Sequence, residues 1–288
     1  MSGKLYIIAT PIGNLGDMTP RAAEILRSAD IIAAENTKNS MTLMTKFEIK
    51  TKLVPHHKFN ETESAGGFVN ELLGGRNIAV ISDAGTPCVS DPGYILVKKA
   101  LENNIEVTAV PGACAAVAAV SVSGFDVKTF TFTGFFPREK NESGKTLKKF
   151  GENPGVYIFY ESPKRIIKTM GQLARDLPEC EICLCNDLTK KFERIYRGIP
   201  EKILDELQNN PSSQKGEYTA VIKTASEKKG PAAKIGPPSI ESLIADVMVK
   251  QRCTAKEAVK YIADTGLYGK NEIYAASLNL KRMFGGKN

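Results

Sequence analysis

Short apolar blocks recur along the first half of the chain, each closed by glycine, proline or aspartate. Residues 5–9 (LYIIA), 31–34 (IIAA) and 78–81 (IAVI) are apolar throughout, the pattern of strands covered on both faces. Residues 105–110 (IEVTAV) form a fourth block, followed at once by Pro111-Gly112 and an alanine-rich stretch that predicts a helix. Thr19-Pro20 predicts a helix start, with the threonine as N-cap and the proline in the first turn. Strand and helix patterns that alternate with short connections predict an α/β fold, with a mostly parallel sheet covered by helices.

The pattern changes after residues 124–126 (GFD), which read as a hinge. Residues 130–136 (FTFTGFF) alternate as a strand, and residues 156–160 and 182–185 predict two more. Residues 195–198 and 218–223 read as a paired antiparallel couple, so the second lobe is expected to hold a more mixed sheet. Residues 227–238 (EKKGPAAKIGPP) have linker composition. Three amphipathic patterns follow at 239–251, 254–264 and 270–283, the first two opened by Ser239 and Thr254 with a glutamate two or three residues on. The expected organisation is an N-terminal α/β lobe (1–124), a C-terminal α/β lobe (125–229), a linker (230–238) and a helical C-terminal domain (239–288).

The 288 residues are 42% hydrophobic and 25% charged, ordinary values for a globular chain. No apolar run approaches the ~20 residues of a membrane helix, and the N-terminus lacks the regions of a signal peptide. A cytoplasmic protein with no membrane partner is expected. Six cysteines are scattered apart from residues 180–185 (CEICLC). No second pair or nearby histidine completes a tetrahedral metal site, so these read as thiols in a buried strand and no metal is expected. The net charge of +7 is uneven: residues 1–124 carry −1, residues 125–229 +4 and residues 230–288 +4. The later segments could meet an anionic partner such as RNA, or the charge could serve solubility alone.

In a parallel α/β sheet, ligands sit beyond the carboxyl ends of the strands. Three such ends carry special turns. Residues 9–17 (ATPIGNLGD) are glycine-rich but lack the dinucleotide spacing. Residues 82–93 (SDAGTPCVSDPG) place two aspartates where they could accept from ribose hydroxyls or an ammonium group, or could only shape the loop as Asx-turns. Residues 110–116 (VPGACAA) could admit a flat ligand against the helix start, or could be a tightly packed alanine helix.

Together these loops resemble the tetrapyrrole methylase superfamily. Residues 34–38 (AENTK), 56–61 (HHKFNE), 134–137 (GFFP), 160–165 (YESPKR) and 188–193 (LTKKFE) with Arg197-Gly198 narrow the resemblance to one branch, the ribosomal RNA small subunit methyltransferase I family. It departs from that branch's usual pattern at Asn36, Lys38, Lys164 and Asn186-Asp187.

The resemblance implies a two-lobed tetrapyrrole-methylase-like fold with S-adenosyl-L-methionine in the cleft. It also implies methyl transfer to the ribose 2′-oxygen of a decoding-centre cytidine (cytidine 1402) of 16S ribosomal RNA in the small ribosomal subunit, and a homodimer. The donor would be held by Pro11, Gly13, Asp83, Ala84, Gly85, Thr86, Val89, Ala115 and Ala116, and from the second lobe by Tyr160, Leu188 and Ala220. Candidates for the base that takes the hydroxyl proton are Glu35, Glu161 and Lys190, the lysine only if its pKa is depressed. RNA would be met by Arg138, Lys140, Lys164, Arg165, Lys190, Lys191 and Arg194, with residues 138–149 (REKNESGKTLKK) a mobile loop over the cleft. Other readings are a methylase of tetrapyrroles or other small molecules, and a non-catalytic RNA-binding protein.

Overall fold

The computed structural model describes residues 2–224 and 239–284, which fall into two compact units that divide between residues 227 and 228. The linker expected at 230–238 lies outside the described residues. Among the described residues no helix is long and apolar enough to cross a membrane.

The first unit opens with a parallel sheet of β1 (Leu5–Ile8), β2 (Ile31–Ala34), β3 (Lys52–Pro55), β4 (Ile78–Ile81) and β5 (Val107–Val110), in the order β3-β2-β4-β1-β5. Helices α1 (Pro20–Ser28), α2 (Thr37–Lys46), α3 (Glu61–Leu73), α4 (Tyr94–Glu102) and α5 (Ala115–Ser121) connect and cover the strands. The expected Thr19 cap forms, its side chain accepting from the Ala22 N–H. Asn36 caps α2, accepting from the N–H groups of Lys38 and Asn39. β3 carries no apolar block that would mark it in the sequence, because Lys52 and Pro55 flank Leu53 and Val54 at the sheet edge, where a proline and a charge are tolerated.

Leu26 of α1 packs on one face of this sheet with Ile8 and Ile32, whereas Leu96 of α4 packs on the other with Leu5 and Val80. The connections after the neighbouring strands β1 and β4 therefore leave to opposite faces. That divergence opens a crevice at their carboxyl ends, closed at its base by a two-bond bridge between Thr10 and Gly85.

A second five-stranded sheet follows: β6 (Thr131–Phe135), β7 (Gly155–Glu161), β8 (Glu181–Asn186), β9 (Arg194–Gly198) and β10 (Tyr218–Thr224), in the order β6-β7-β10-β8-β9. Only β6 and β7 run parallel. The expected pairing of the last two strands is wrong: β10 sits between β7 and β8, and β9 pairs with β8 alone. The almost wholly buried β10 takes the central seat, while β9, with Arg194 and Arg197 exposed, suits an edge.

Helices α6 (Lys140–Glu152), α7 (Ile166–Asp176) and α8 (Pro200–Gln208) cover one face, where Leu147, Phe150, Met170, Leu173 and Ile203 are buried. Residues 138–149 thus form most of a packed helix rather than a mobile loop, because Ser143, Leu147 and Phe150 supply a buried stripe at helical spacing. On the other face Ala116 and Ala119 of α5 meet Ile158, Cys183, Cys185 and Val221. The cysteines of 180–185 are buried thiols, as expected.

The second unit is α9 (Ile240–Gln251), α10 (Ala255–Asp264) and α11 (Lys270–Phe284), packed around Ile244, Ala258, Ile262, Ile273 and Ala276. Ser239 caps α9, and Thr254 with Glu257 forms a capping box on α10.

Candidate active site

The crevice at the ends of β1 and β4 opens into a cleft of about 530 Å³ shared by the two sheets, a size that suits a cofactor-sized ligand. Its first wall is the 82–93 loop. Gly85 sits at φ +77°, where a Cβ would lie 3.3 Å from the Ile12 side chain, so glycine permits the close approach to the first loop. The Thr86 hydroxyl donates to the Ala113 carbonyl at 3.2 Å, tying this loop to the Pro-Gly turn. Its far end is held by Glu61, whose carboxylate accepts from the N–H groups of Gly93 (2.7 Å) and Ile95 (3.0 Å) and so caps α4. His56, in the same segment, is 1% exposed, shares a 2.8 Å hydrogen bond with Ser64 and has its pKa lowered by burial. Of the HHKFNE segment it is Glu61 that bonds the loop.

Three carboxylates face the cleft from this lobe. Asp83 accepts from the Asn39 amide at 2.9 Å, and its own N–H donates to Glu35 at 3.3 Å. Asp91 lies beside them, its carboxyl pushed up to about 6 by burial, with the charges of Glu35 and Asp83 adding to the shift and the Ser82 hydroxyl opposing it. Opposite stand Phe135 and Tyr160, edge to face with ring centroids 5.6 Å apart. Burial, with Cys114 and Asp91 nearby, pushes the Tyr160 phenol up to about 12, so it stays protonated.

Asp83, Ala84, Gly85, Thr86, Val89, Ala115, Tyr160 and Leu188 all line the cleft. Pro11, Gly13, Ala116 and Ala220 do not. Pro11 is buried, and Gly13 lies against the stem of Lys190. Ala116 is turned a helical step away onto the second sheet, and Ala220 points into the opposite core. Asp91, the second aspartate of the 82–93 loop, also lines the cleft, as does Thr219 beside Ala220, where the resemblance places the closing backbone of the second lobe. Phe135 lines it too and carries no local signal in the sequence.

All three base candidates line the cleft, and their surroundings separate them. Glu35 faces the cleft and keeps one carboxylate oxygen without a hydrogen-bond donor among the described residues. Glu161 is 2% exposed and fully engaged, accepting from Thr169 Oγ1 (2.6 Å), the Ser162 N–H (2.7 Å) and Arg165 Nη2 (3.3 Å). Such a group is structural, and this corrects the expectation for Glu161. Lys190 lies 2.9 Å from both Asp187 and Glu217. Burial pulls its pKa down, but those two carboxylates outweigh it and the net shift is upward, so the depressed pKa that a base role would require is not met.

The RNA candidates separate as well. Arg165 is committed to Glu161 and to the carbonyls of Phe136 (3.1 Å) and Pro137 (2.7 Å), and Lys190 to its two carboxylates, so neither is free for a phosphate. Arg138, Lys164, Lys191 and Arg194 are exposed and form no ion pair among the described residues. Lys140 is exposed too, but it lies away from the cleft, among residues of α7 and α8.

Residues 4–203 match the family described as Tetrapyrrole (Corrin/Porphyrin) Methylases. Solved structures share the fold. A cobalt precorrin-4 methyltransferase has a TM-score of 0.56 at 18% identity, covering 77% of this chain and 94% of that one. A diphthine synthase has a TM-score of 0.60 at 11% identity, covering 77% and 90%. Fold and cleft therefore define a methyltransferase of the tetrapyrrole methylase class, whose methyl donor is S-adenosylmethionine. The cleft fits that donor: apolar walls for a purine and, for a sulfonium and an α-amino group, carboxylates. Curated relatives named ribosomal RNA small subunit methyltransferase I include one from Halalkalibacterium halodurans, 37% identical over 278 residues (94% of this chain, 93% of the relative). One from Pseudomonas aeruginosa is 36% identical over 280 residues (96% and 97%). The chain belongs to the ribosomal RNA small subunit methyltransferase I family.

Proposed function

We propose that this protein transfers a methyl group from S-adenosylmethionine to the ribose 2′-oxygen of a decoding-centre cytidine, the family's cytidine 1402, in the 16S ribosomal RNA of the small subunit. The observation that carries the reading is the cleft itself, at the ends of β1 and β4, in a chain similar over nearly its whole length to relatives named for that RNA. Bound there, the donor supplies a methyl carbon already activated by its sulfonium. Asp83 and the turn at Ala84 and Gly85 hold the polar end of the donor, while Val89, Ala115, Tyr160 and Leu188 cover the apolar faces. Alignment of the attacking oxygen supplies much of the rate.

Glu35 takes the hydroxyl proton, because its free carboxylate oxygen faces the cleft. Arg138, Lys164, Lys191 and Arg194 meet the phosphates around the cleft. Phe192, 73% exposed with the Lys191 ammonium 5.5 Å from its ring centroid, offers a face for a base. The two lobes divide at residues 124 and 125, with residues 239–288 as a separate helical domain, and the protein works in the cytoplasm as a homodimer.

Mass mapping of 16S ribosomal RNA from cells with and without this protein tests the reading. Loss of one 2′-O-methyl at the decoding centre is expected. Unchanged RNA, together with methyl transfer to a precorrin in vitro, would overturn it. Light scattering reports the dimer.

A further inference from the structure

Lys140, expected over the cleft, lies instead at a separate groove. The start of α6 and one face each of α7 and α8 bound a groove of about 500 Å³ that shares no residue with the cleft. Three cations converge on it: Lys140 from α6, and Lys168 and Arg175 from α7. No carboxylate lines it, and none of the three lies within ion-pair distance of one among the described residues. The remaining polar groups are the amides of Gln172 and Gln208. Like charges gathered without counter-charges weaken the fold they sit on, so an anionic partner is the simplest reason for the arrangement.

Gly171 lies between the two α7 cations. A glycine inside a helix costs helix stability, and packing does not demand one here: a Cβ would have nothing nearer than Arg175 Nη1 at 3.8 Å and Leu204 Cδ2 at 4.0 Å. Its lack of a side chain leaves the groove open.

The groove is joined to the cleft by chain. Phe135 lines the cleft and Lys140 the groove; Pro163 lines the cleft and Ile167 the groove. Four or five residues span at most about 18 Å even when extended. The two connections carry Arg138 and Lys164, both exposed and without an ion pair among the described residues. Arg138 and Lys164 thus lie along the chain between the cleft and the three cations of the groove, with Glu139 the one carboxylate in the two connections.

We propose that this groove is a second binding site, for the phosphodiester backbone of the RNA strand whose target nucleotide occupies the cleft. The proposal rests on the RNA reading above. It is tested with the full chain carrying Lys168→Ala and Arg175→Ala, both exposed changes. The control is an equal loss of charge elsewhere, Lys46→Ala with Lys98→Ala, also exposed.

Binding of a fluorescent decoding-centre RNA strand is followed by anisotropy across a salt series, alongside methylation of unmodified small subunits. The groove variant is expected to bind about tenfold more weakly, with a log–log salt slope shallower by about 1.4, roughly 0.7 for each cation lost on a single strand. Its KM should rise with kcat unchanged, and the control should match wild type. Equal affinity and slope for groove variant and control would overturn the groove site, whatever the activity. A change in molar mass by light scattering confined to the groove variant would overturn it in favour of an interface between copies. Absence of methyl transfer by the wild type would instead overturn the function, and the binding series would still judge the groove.

Discussion

Glu161 separates structure from catalysis within one side chain. In Glu161→Ala the Thr169 hydroxyl, the Ser162 N–H and the Arg165 guanidinium lose an acceptor that is 2% exposed. Removing one partner of a buried ion pair costs about 3–5 kcal/mol. The lower end applies, because the Arg165 side chain is 26% exposed and keeps the Phe136 and Pro137 carbonyls. At ~2–4 °C per kcal/mol for a chain of this size, Tm should fall by about 6–12 °C. Glu161→Gln keeps the shape, and its amide can donate to Thr169 if the hydroxyl reverses. The loss should be nearer 2 kcal/mol, the size of a charge-assisted hydrogen bond. Calorimetry gives the Tm, and single-turnover methyl transfer at a temperature well below both transitions gives the chemistry. A large Tm change and a transfer rate within about tenfold of wild type are expected. A Glu161→Gln variant that melts like wild type yet transfers methyl ~10²–10⁴-fold more slowly would identify Glu161 as the base and refute the assignment.

Asp83→Ala removes a carboxylate from the donor site and should raise the Kd for S-adenosylmethionine by about ten- to hundredfold; an unchanged Kd by calorimetry would remove Asp83 from the site. Asp91 has a folded-state pKa of about 6 against an ordinary 3.8, so the fold favours its neutral form. That stabilisation is complete below about pH 3.8 and is lost as pH rises through about 6. Asp91→Asn should therefore raise Tm at pH 7.5 and leave it unchanged below pH 4, and a lower Tm at pH 7.5 would contradict the burial argument. Lys190→Met should lower kcat by less than about tenfold, since its ammonium is held by Asp187 and Glu217; loss of ~10² or more together with one limb of the pH–rate profile would restore it as a base.

Much of the first lobe was legible because its inner strands β2 and β4 are buried on both faces and read as unbroken apolar blocks. β2 and β4 match their predicted limits for that reason. β3 carries a lysine and a proline at an edge and left no such trace. The donor loops were legible because tight turns demand glycine and proline at particular positions, as Gly85 does at φ +77°. In the second lobe order along the chain was a poor guide, since β10, the last strand, inserts between β7 and β8.

The residues themselves were enough for the strand-end loops, the α/β alternation and the family, all of which are local patterns of residue type and spacing. They left each charged side chain with several possible partners. Glu161, Lys190 and Arg165 all looked available as chemistry until folding gave them partners at 2.6–3.3 Å. Lys140, Lys168 and Arg175 stand on two helices and looked unrelated until packing gathered them with no carboxylate in their groove. Charge acts through distance and burial, and both exist only once distant segments have been brought together.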